Sequence, residues 1–518
     1  MKVGGTDSLD LLRRPKEMEF STYGVGIGQW DRPARAGGKG AVVGGAMSSA
    51  GFVLTAIFVF VTIISPEQFG KEWATYHALT YLGTSIVLIS LPAVLIDLRM
   101  RSSTQIFLLL GFIVAMGISE AANGWFGGAL VTWELFLPSA IVFFFIVANV
   151  NSTRRLRILI TVLIASCLVV VVEALCGYYF GFRGRTFLVY QHMISDRGEW
   201  ADFGRVRGAG FLSDPNDFAQ LLLIALPLTT IQWTKGRRAA NFFMVIVPAG
   251  LLMWAIFLTH SRGALVALAL MALFSVRQKL GNVLSVVVTT VGIMGMFALN
   301  FTGGRLISAD AGSDRLWLWA SGLEMFKRSP LFGVGFGKFA DFAELTAHNS
   351  FILCLAELGL IGCTLWLAML VTTMLDLSRM IRVLQDGETK RSFPGVLTAE
   401  NETFLPGNAP VSIDGRSARS FESMAAPNVS ATPEYGSELT ARWVVGMRLS
   451  LISFLATSWF LSRAYQSTMY VMLGLAAATI MLDARCADHG GRKRWLFVTV
   501  AIEGSLIVFI YLVVRLRF

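Results

Sequence analysis

Long apolar runs, separated by short polar clusters, dominate the chain. A membrane-crossing helix needs about 20 mostly apolar residues. Such runs lie near 46–65, 77–96, 104–119, 129–149, 157–180, 217–233, 242–259, 263–276, 282–300, 349–375, 443–462, 468–484 and 495–514. They predict an all-α, polytopic transmembrane bundle of 12–13 helices, the lower number applying if 495–514 does not cross. The stretch 314–328 has a different rhythm. Leu316, Trp319, Leu323 and Phe326 recur on one helical face, with Asp314, Ser321 and Arg328 opposite. This reads as a helix on the outer membrane surface, the alternative being an ordinary core-facing helix. Residues 385–441 carry no apolar period and are rich in Ser, Pro, Gly, Asn and acids, which predicts a flexible insertion.

Lys and Arg orient the bundle. With the N-terminus inside, 28 of the 44 fall in the segments that become cytoplasmic, while the small outer loops 66–76, 119–128 and 463–467 hold one, none and one. This is the asymmetry of cytoplasmic loops. The expected organisation is a basic tail at 1–45, a membrane core at 46–375, a cytoplasmic insertion at 376–442 and C-terminal helices at 443–518. Two outer loops depart from the pattern. Residues 181–216 hold Arg183, Arg185, Arg197, Arg205 and Arg207 with no lysine, and 301–348 is long and carries both charge signs. Binding an anionic group outside the membrane is the simplest reason for such charge, since arginine forks match phosphate oxygens.

Composition narrows the class. Of 518 residues, 54% are hydrophobic and only 15% charged, and mean hydropathy is +0.62. Soluble domains carry about 25% charged residues. Disordered, collagenous and nucleic-acid-binding classes are excluded, and an ordinary cytosolic enzyme does not fit. The net charge of +10 is explained by loop topology without a nucleic-acid partner. The five cysteines include no CxxC pair, and the five histidines form no HExxH, so neither disulfides nor a metal site is indicated. No cofactor is implied.

Three positions outside the apolar pattern carry candidate chemistry. His260-Ser-Arg262 separates two apolar runs, the second only 14 residues long, about 21 Å as a helix. Arg262 is therefore expected to dip into the membrane or an outward-facing cavity, where an ionisable group is functional by default. Arg207 precedes Asp214-Pro-Asn216, a helix-start signal, and has no capping duty of its own. His348 opens the tenth span, where a helix N-terminus depresses a histidine pKa and leaves a neutral proton acceptor. Glu357, on roughly the opposite side of that helix, is expected to meet a basic group in the bundle such as Arg448. Gly333-Val-Gly-Phe-Gly337 lacks a following Lys-Ser/Thr and reads as a tight turn, not a phosphate cradle.

Taken in order, Arg207-Gly-Ala-Gly-Phe-Leu-Ser-Asp-Pro-Asn216, Ser261-Arg-Gly263, and the run from Arg315 through Trp319, Pro330–Gly337 and His348-Asn-Ser350 to Glu357-Leu-Gly-Leu-Ile-Gly362 resemble the O-antigen ligase and polymerase superfamily of bacterial membrane proteins. The resemblance covers about 205–362. The insertion and the thirteenth helix depart from the usual plan. The resemblance implies a helical bundle in the inner membrane with a large periplasmic loop. It implies glycan transfer from undecaprenyl diphosphate to a hydroxyl of another glycan or of lipid A–core, without a divalent metal. On this reading His348 is the base, and Arg207, Arg262 and Arg315 hold the diphosphate. Membrane lipids and polysaccharide-assembly proteins are the further expected partners. A transporter or flippase of the same lipid-linked glycan, or a non-catalytic partner of a polysaccharide-export complex, are the alternatives.

Overall fold

The computed structural model describes residues 39–64, 81–90, 103–183, 186–194, 200–299, 301, 309–392, 439–483 and 492–517. The basic tail to residue 38, most of the 385–441 insertion, Arg185, Arg197, His77 and His489 lie outside the described residues. The chain divides into two compact units, Met1–Ala46 and Met47–Phe518. Of the first, only the helical stretch from Lys39 is described.

Among the described residues, every expected span falls on a helix. In chain order these are α1 (Lys39–Ile64), α2 (Tyr81–Ser90), α3 (Thr104–Ala122), α4 (Gly128–Asn149), α5 (Thr153–Phe180), α6 (Pro215–Leu228), α7 (Arg238–Leu258), α8 (Arg262–Ala298), α11 (Ser350–Ser392), α12 (Ala441–Ser458), α13 (Ser467–Met481) and α14 (Arg492–Arg517). Between α8 and α11 lie α9 (Ala309–Arg328) and α10 (Phe339–Ala343). Among the described residues, seven helices are long and apolar enough to cross a membrane: α3, α4, α5, α7, the Leu280–Ala298 half of α8, α11 and α14. The chain is thus an all-α polytopic protein. One element was not expected. An antiparallel hairpin, β1 (Leu188–Ile194) with β2 (Trp200–Val206), stands in the arginine-rich 181–216 loop, in the register Leu188 to Val206.

Local chemistry sets the helix starts. Ser152 caps α5, Asp214 caps α6 ahead of Pro215, and Ser261 caps α8. Asn349 caps α11, its Oδ1 accepting from the backbone N–H groups of Phe351 and Ile352 at 2.9 and 3.1 Å. Helix α11 is the hub, packed on α3, α9, α12, α13 and α14. Close crossings use glycine: a Cβ at Gly446 would stand 3.2 Å from Pro227 O, and one at Gly474 would stand 3.2 Å from Ile146.

Two helices are broken at glycines. Helix α8 breaks at Gly281 (φ 74°), so its first part runs from Arg262 to that break. That part is about 28 Å long at 1.5 Å per residue, and the short-helix argument for placing Arg262 in the membrane does not hold. Helix α11 breaks at Gly359 (φ 62°, ψ −164°), and the 330–338 loop fills the break. Val334 and Gly335 N–H donate to the carbonyls of Ala356 and Glu357, and Leu360 and Ile361 N–H donate to those of Pro330 and Leu331, at 2.9–3.2 Å. The loop thus supplies the backbone partners the helix loses, as a helix interrupted at membrane depth requires. Glu357 also turns towards this loop, its Oε1 accepting from Phe339 N–H at 3.1 Å. That contact replaces the expected basic partner.

The apolar stripe of α9 faces protein. Leu318, Trp319, Leu323 and Met325 form a satellite core with Phe339, Ile352, Ala356 and Ile510. A Cβ at Gly322 would meet Ile352 at 2.5 Å. The expected membrane-surface helix is instead packed on α11 and the end of α14. Helix α14 runs along α11. Its Val498 shares a cleft with Met374, and its Ile510 reaches the satellite core beside α9.

Candidate functional site

The charged residues singled out in the sequence gather where α6, α8 and α11 begin, next to α9. Arg262 is the first residue of α8, and the turn before it is pinned on two sides. Arg205 Nε donates to Thr259 O at 2.8 Å, and the same buried guanidinium reaches Asn216 Oδ1 at 3.1 Å. His260, also buried, sits 2.9 Å through Nδ1 from Phe301 O. Arg205 is therefore a strut between β2, the α7–α8 turn and α6. Its charge is spent on structure.

Arg315, in the second turn of α9, lies with its guanidinium carbon 5.8 Å from the Phe460 ring centroid. Phe460 also covers Gly263, where a Cβ would approach the ring to 3.2 Å. One aromatic side chain thus underlies the backbone beside Arg262 and the head of Arg315. Burial, and next the charge of Arg262, push the Arg315 guanidinium below its usual pKa, with Asp214 acting in the opposite sense. The two cations are close enough to oppose each other, and an anion between them relieves that repulsion.

His348 is half-buried and left-handed (φ 49°), immediately before the cap residue Asn349. Burial lowers its pKa from 6.5, followed by the charge of Arg315 and then of Arg463, against Asp214. The sequence anticipated the direction, a neutral imidazole, but named the helix N-terminus as its cause. Burial and two guanidiniums account for it here.

Arg207 stands differently. Its Nε donates to Thr186 O at 2.9 Å and its Nη1 to Ser213 O at 3.2 Å. These bonds fold the 181–216 loop onto the start of α6. None of its contacts joins it to Arg262, Arg315 or His348. Sequence reading missed Asp214 as a charge partner, because its capping duty explained it. It also missed Phe460 and Arg463, which lie in a short turn with no motif around them.

Below this polar group opens a cleft of about 600 Å³ between α8, α11, α12 and α14. Its walls are apolar, from Trp459 and Phe460 at the charged end to Phe274 and Met374 at the other. No three His, Cys, Asp or Glu side chains converge among the described residues.

A multi-pass, almost wholly helical chain with paired arginines at the mouth of an apolar cleft defines a membrane protein suited to an amphipathic anion. Residues 247–367 match a family model described as O-antigen ligase. Comparison with curated proteins gives no match. The matched segment holds Arg262, Arg315, His348 and the broken helix α11, while Arg207, Asp214 and Arg463 lie outside it. The family supports an O-antigen ligase or polymerase type of function in general, with a glycosyl-transferring enzyme as its class.

Proposed function

We propose that the chain transfers a glycan from undecaprenyl diphosphate to an acceptor hydroxyl on the periplasmic side of the bacterial inner membrane. It does so as an O-antigen ligase or as a polymerase of a surface or exopolysaccharide. The observation that carries this reading is the juxtaposition of the Arg262–Arg315 pair and a neutral His348 with the apolar cleft that starts at Phe460. A polyprenyl diphosphate has the matching division: an anionic head for the arginines and a hydrocarbon chain for the cleft.

The chemistry follows from the charges. The imidazole of His348 takes the acceptor hydroxyl proton. The acceptor oxygen forms its bond to the anomeric carbon on the face opposite the leaving group, so the configuration inverts. The bond from that carbon to the diphosphate oxygen breaks, and its electron pair leaves on the diphosphate. Arg315 and Arg262 stabilise the charge that develops there, and loss of one such donor costs about 10²–10³ in rate. Arg207 contributes by holding the loop over the site. The acceptor is a glycan or lipid A–core, and polysaccharide-assembly proteins are the natural neighbours. No metal takes part in these steps, so excess EDTA leaves the rate unchanged.

The test is His348→Asn. Asparagine tolerates a left-handed backbone, so the turn is kept while the base is removed. With normal membrane abundance on an immunoblot, the surface glycan loses its long or capped chains and lipid-linked units accumulate. Single units left on the acceptor indicate a polymerase, and an untouched acceptor beside long lipid-linked chains indicates a ligase. A wild-type glycan ladder refutes the role of His348 and favours a transporter or a non-catalytic assembly partner.

A further inference from the structure

The turn between α12 and α13, Trp459–Gln466, lies outside the family-matched segment, yet it touches each part of the site. Phe460 underlies Arg315 and covers Gly263. Trp459 O accepts from Asn349 Nδ2 at 3.1 Å, one residue from His348. Trp459 also packs edge-on against Trp319 of α9, with centroids 5.7 Å apart. Ser350 Oγ donates to Leu461 O at 2.5 Å and accepts from Arg463 N–H at 2.9 Å. The turn itself is fixed by one ion pair. Arg463 Nε donates to Asp217 Oδ1 at 2.6 Å, and its Nη2 bonds the other carboxylate oxygen. Asp217 is buried on α6, three residues after Asp214.

We infer that the Asp217–Arg463 pair is a positioning device for the transfer reaction: it locks the α12–α13 turn to α6 and so fixes His348 relative to Arg262 and Arg315. The inference rests on the proposed function. A bidentate fork suits this duty, because two parallel hydrogen bonds fix both distance and orientation. The pair also bridges chain segments 246 residues apart. The arginines are carried on α8 and α9, and the histidine on the start of α11. Their common support is this turn, and its only ion pair is the one to Asp217 among the described residues. Arg463 has a second, electrostatic effect. The charged groups that act on His348 are Arg315 from α9, Arg463 from the turn and Asp214 from the start of α6.

Arg463→Gln, Arg463→Lys, Asp217→Asn and the double variant Asp217→Asn/Arg463→Gln are purified in detergent. Each is added to membranes from cells lacking this chain, whose accumulated lipid-linked glycan serves as donor. Positioning predicts a saturated rate lower by about 10- to 100-fold in each single variant, the scale of a misplacement near 1 Å. The half-saturating donor concentration stays within about twofold. The double variant is no slower than the slower single variant, because both changes break one pair. The acidic limb of the pH–rate profile moves to higher pH in Arg463→Gln, since a positive neighbour of His348 is gone, and stays in place in Arg463→Lys. Size-exclusion profile and melting temperature establish that each variant is folded; if Arg463→Gln does not fold, the Lys and Asn variants carry the rate comparison. A folded Arg463→Gln or Asp217→Asn with parental rate overturns the inference. So does a full saturated rate with a donor requirement raised tenfold or more, which makes Arg463 a direct donor ligand. If His348→Asn is active, the proposed function itself fails. If His348→Asn is inactive while the Asp217 and Arg463 variants are fully active, only the positioning role fails.

Discussion

Gly359→Ala is a severe small change in this architecture. The glycine has φ 62° and ψ −164°, a combination open in practice to glycine alone. A Cβ there would stand 2.5 Å from Leu331 C and 2.6 Å from Leu331 O and Gly333 N. These are backbone atoms, so no rotamer change relieves the contact. The loop must move away or the helix must straighten. Either response breaks the four backbone hydrogen bonds that Val334, Gly335, Leu360 and Ile361 donate across the break. At about 1 kcal/mol net each, they amount to roughly 4 kcal/mol. Forcing alanine into this backbone conformation adds about 1–3 kcal/mol. A loss of about 5–7 kcal/mol is comparable to the whole stability of many proteins. The assay is thermal unfolding in detergent followed by size-exclusion chromatography, with Gly504→Ala as control. Gly504 lies within α14 with nothing near its missing Cβ, so alanine there is neutral or mildly stabilising. The expected result for Gly359→Ala is an apparent melting temperature lower by roughly 10 °C or more, or no folded protein at all. A Gly359→Ala protein that melts with the parent refutes the claim that the 330–338 loop is locked into a broken helix.

Two further outcomes follow from the site. Because the His348 pKa is lowered from 6.5, its imidazole stays neutral as pH falls through 6.5 and is protonated only below it. Transfer by the parent protein therefore persists at mildly acidic pH and falls off beneath that value; an acidic limb centred above 6.5 in the pH–rate profile refutes the assignment. Arg205→Ala removes two charge-assisted bonds from a buried strut and is expected to cost about 3–5 kcal/mol, whereas Arg207→Ala releases a partly exposed loop and costs less; equal melting temperatures for the two variants refute the division of labour between these neighbouring arginines.

The helices were legible because a membrane span states itself in length and apolarity, and 128–149 or 153–180 leave little else to read. The hairpin 188–206 was not, since its strands carry charged and polar residues on both faces and no clean alternation. The Gly359 break was hidden for another reason: Leu358-Gly-Leu-Ile is apolar throughout, and a hydrophobic run does not reveal where its backbone bonds are exchanged with a loop. In the site, Arg262, Arg315 and His348 stood out as ionisable groups beside apolar runs. Asp217 and Arg463 did not. Each is an isolated charge near a helix end, and their pairing is set by tertiary contacts between segments far apart in sequence.

The histidines of the site are themselves informative about how this end of the bundle is made. His260 and His348 share a backbone φ of 49°, and each immediately precedes a cap residue, Ser261 or Asn349, that starts a long helix. A left-handed residue at this place reverses the chain sharply, and a β-carbon-bearing residue pays a small conformational penalty for it. Their side chains then diverge. His260 is buried and commits Nδ1 to Phe301 O, so it holds the chain just past the end of α8. His348 remains half-exposed beside Arg315 and Arg463, where a neutral imidazole can meet an incoming hydroxyl. The same local turn therefore serves structure at one helix start and presents a proton acceptor at the other. What separates the two is burial and charge around the ring, properties set by α9 and the α12–α13 turn and invisible in the residues that flank each histidine.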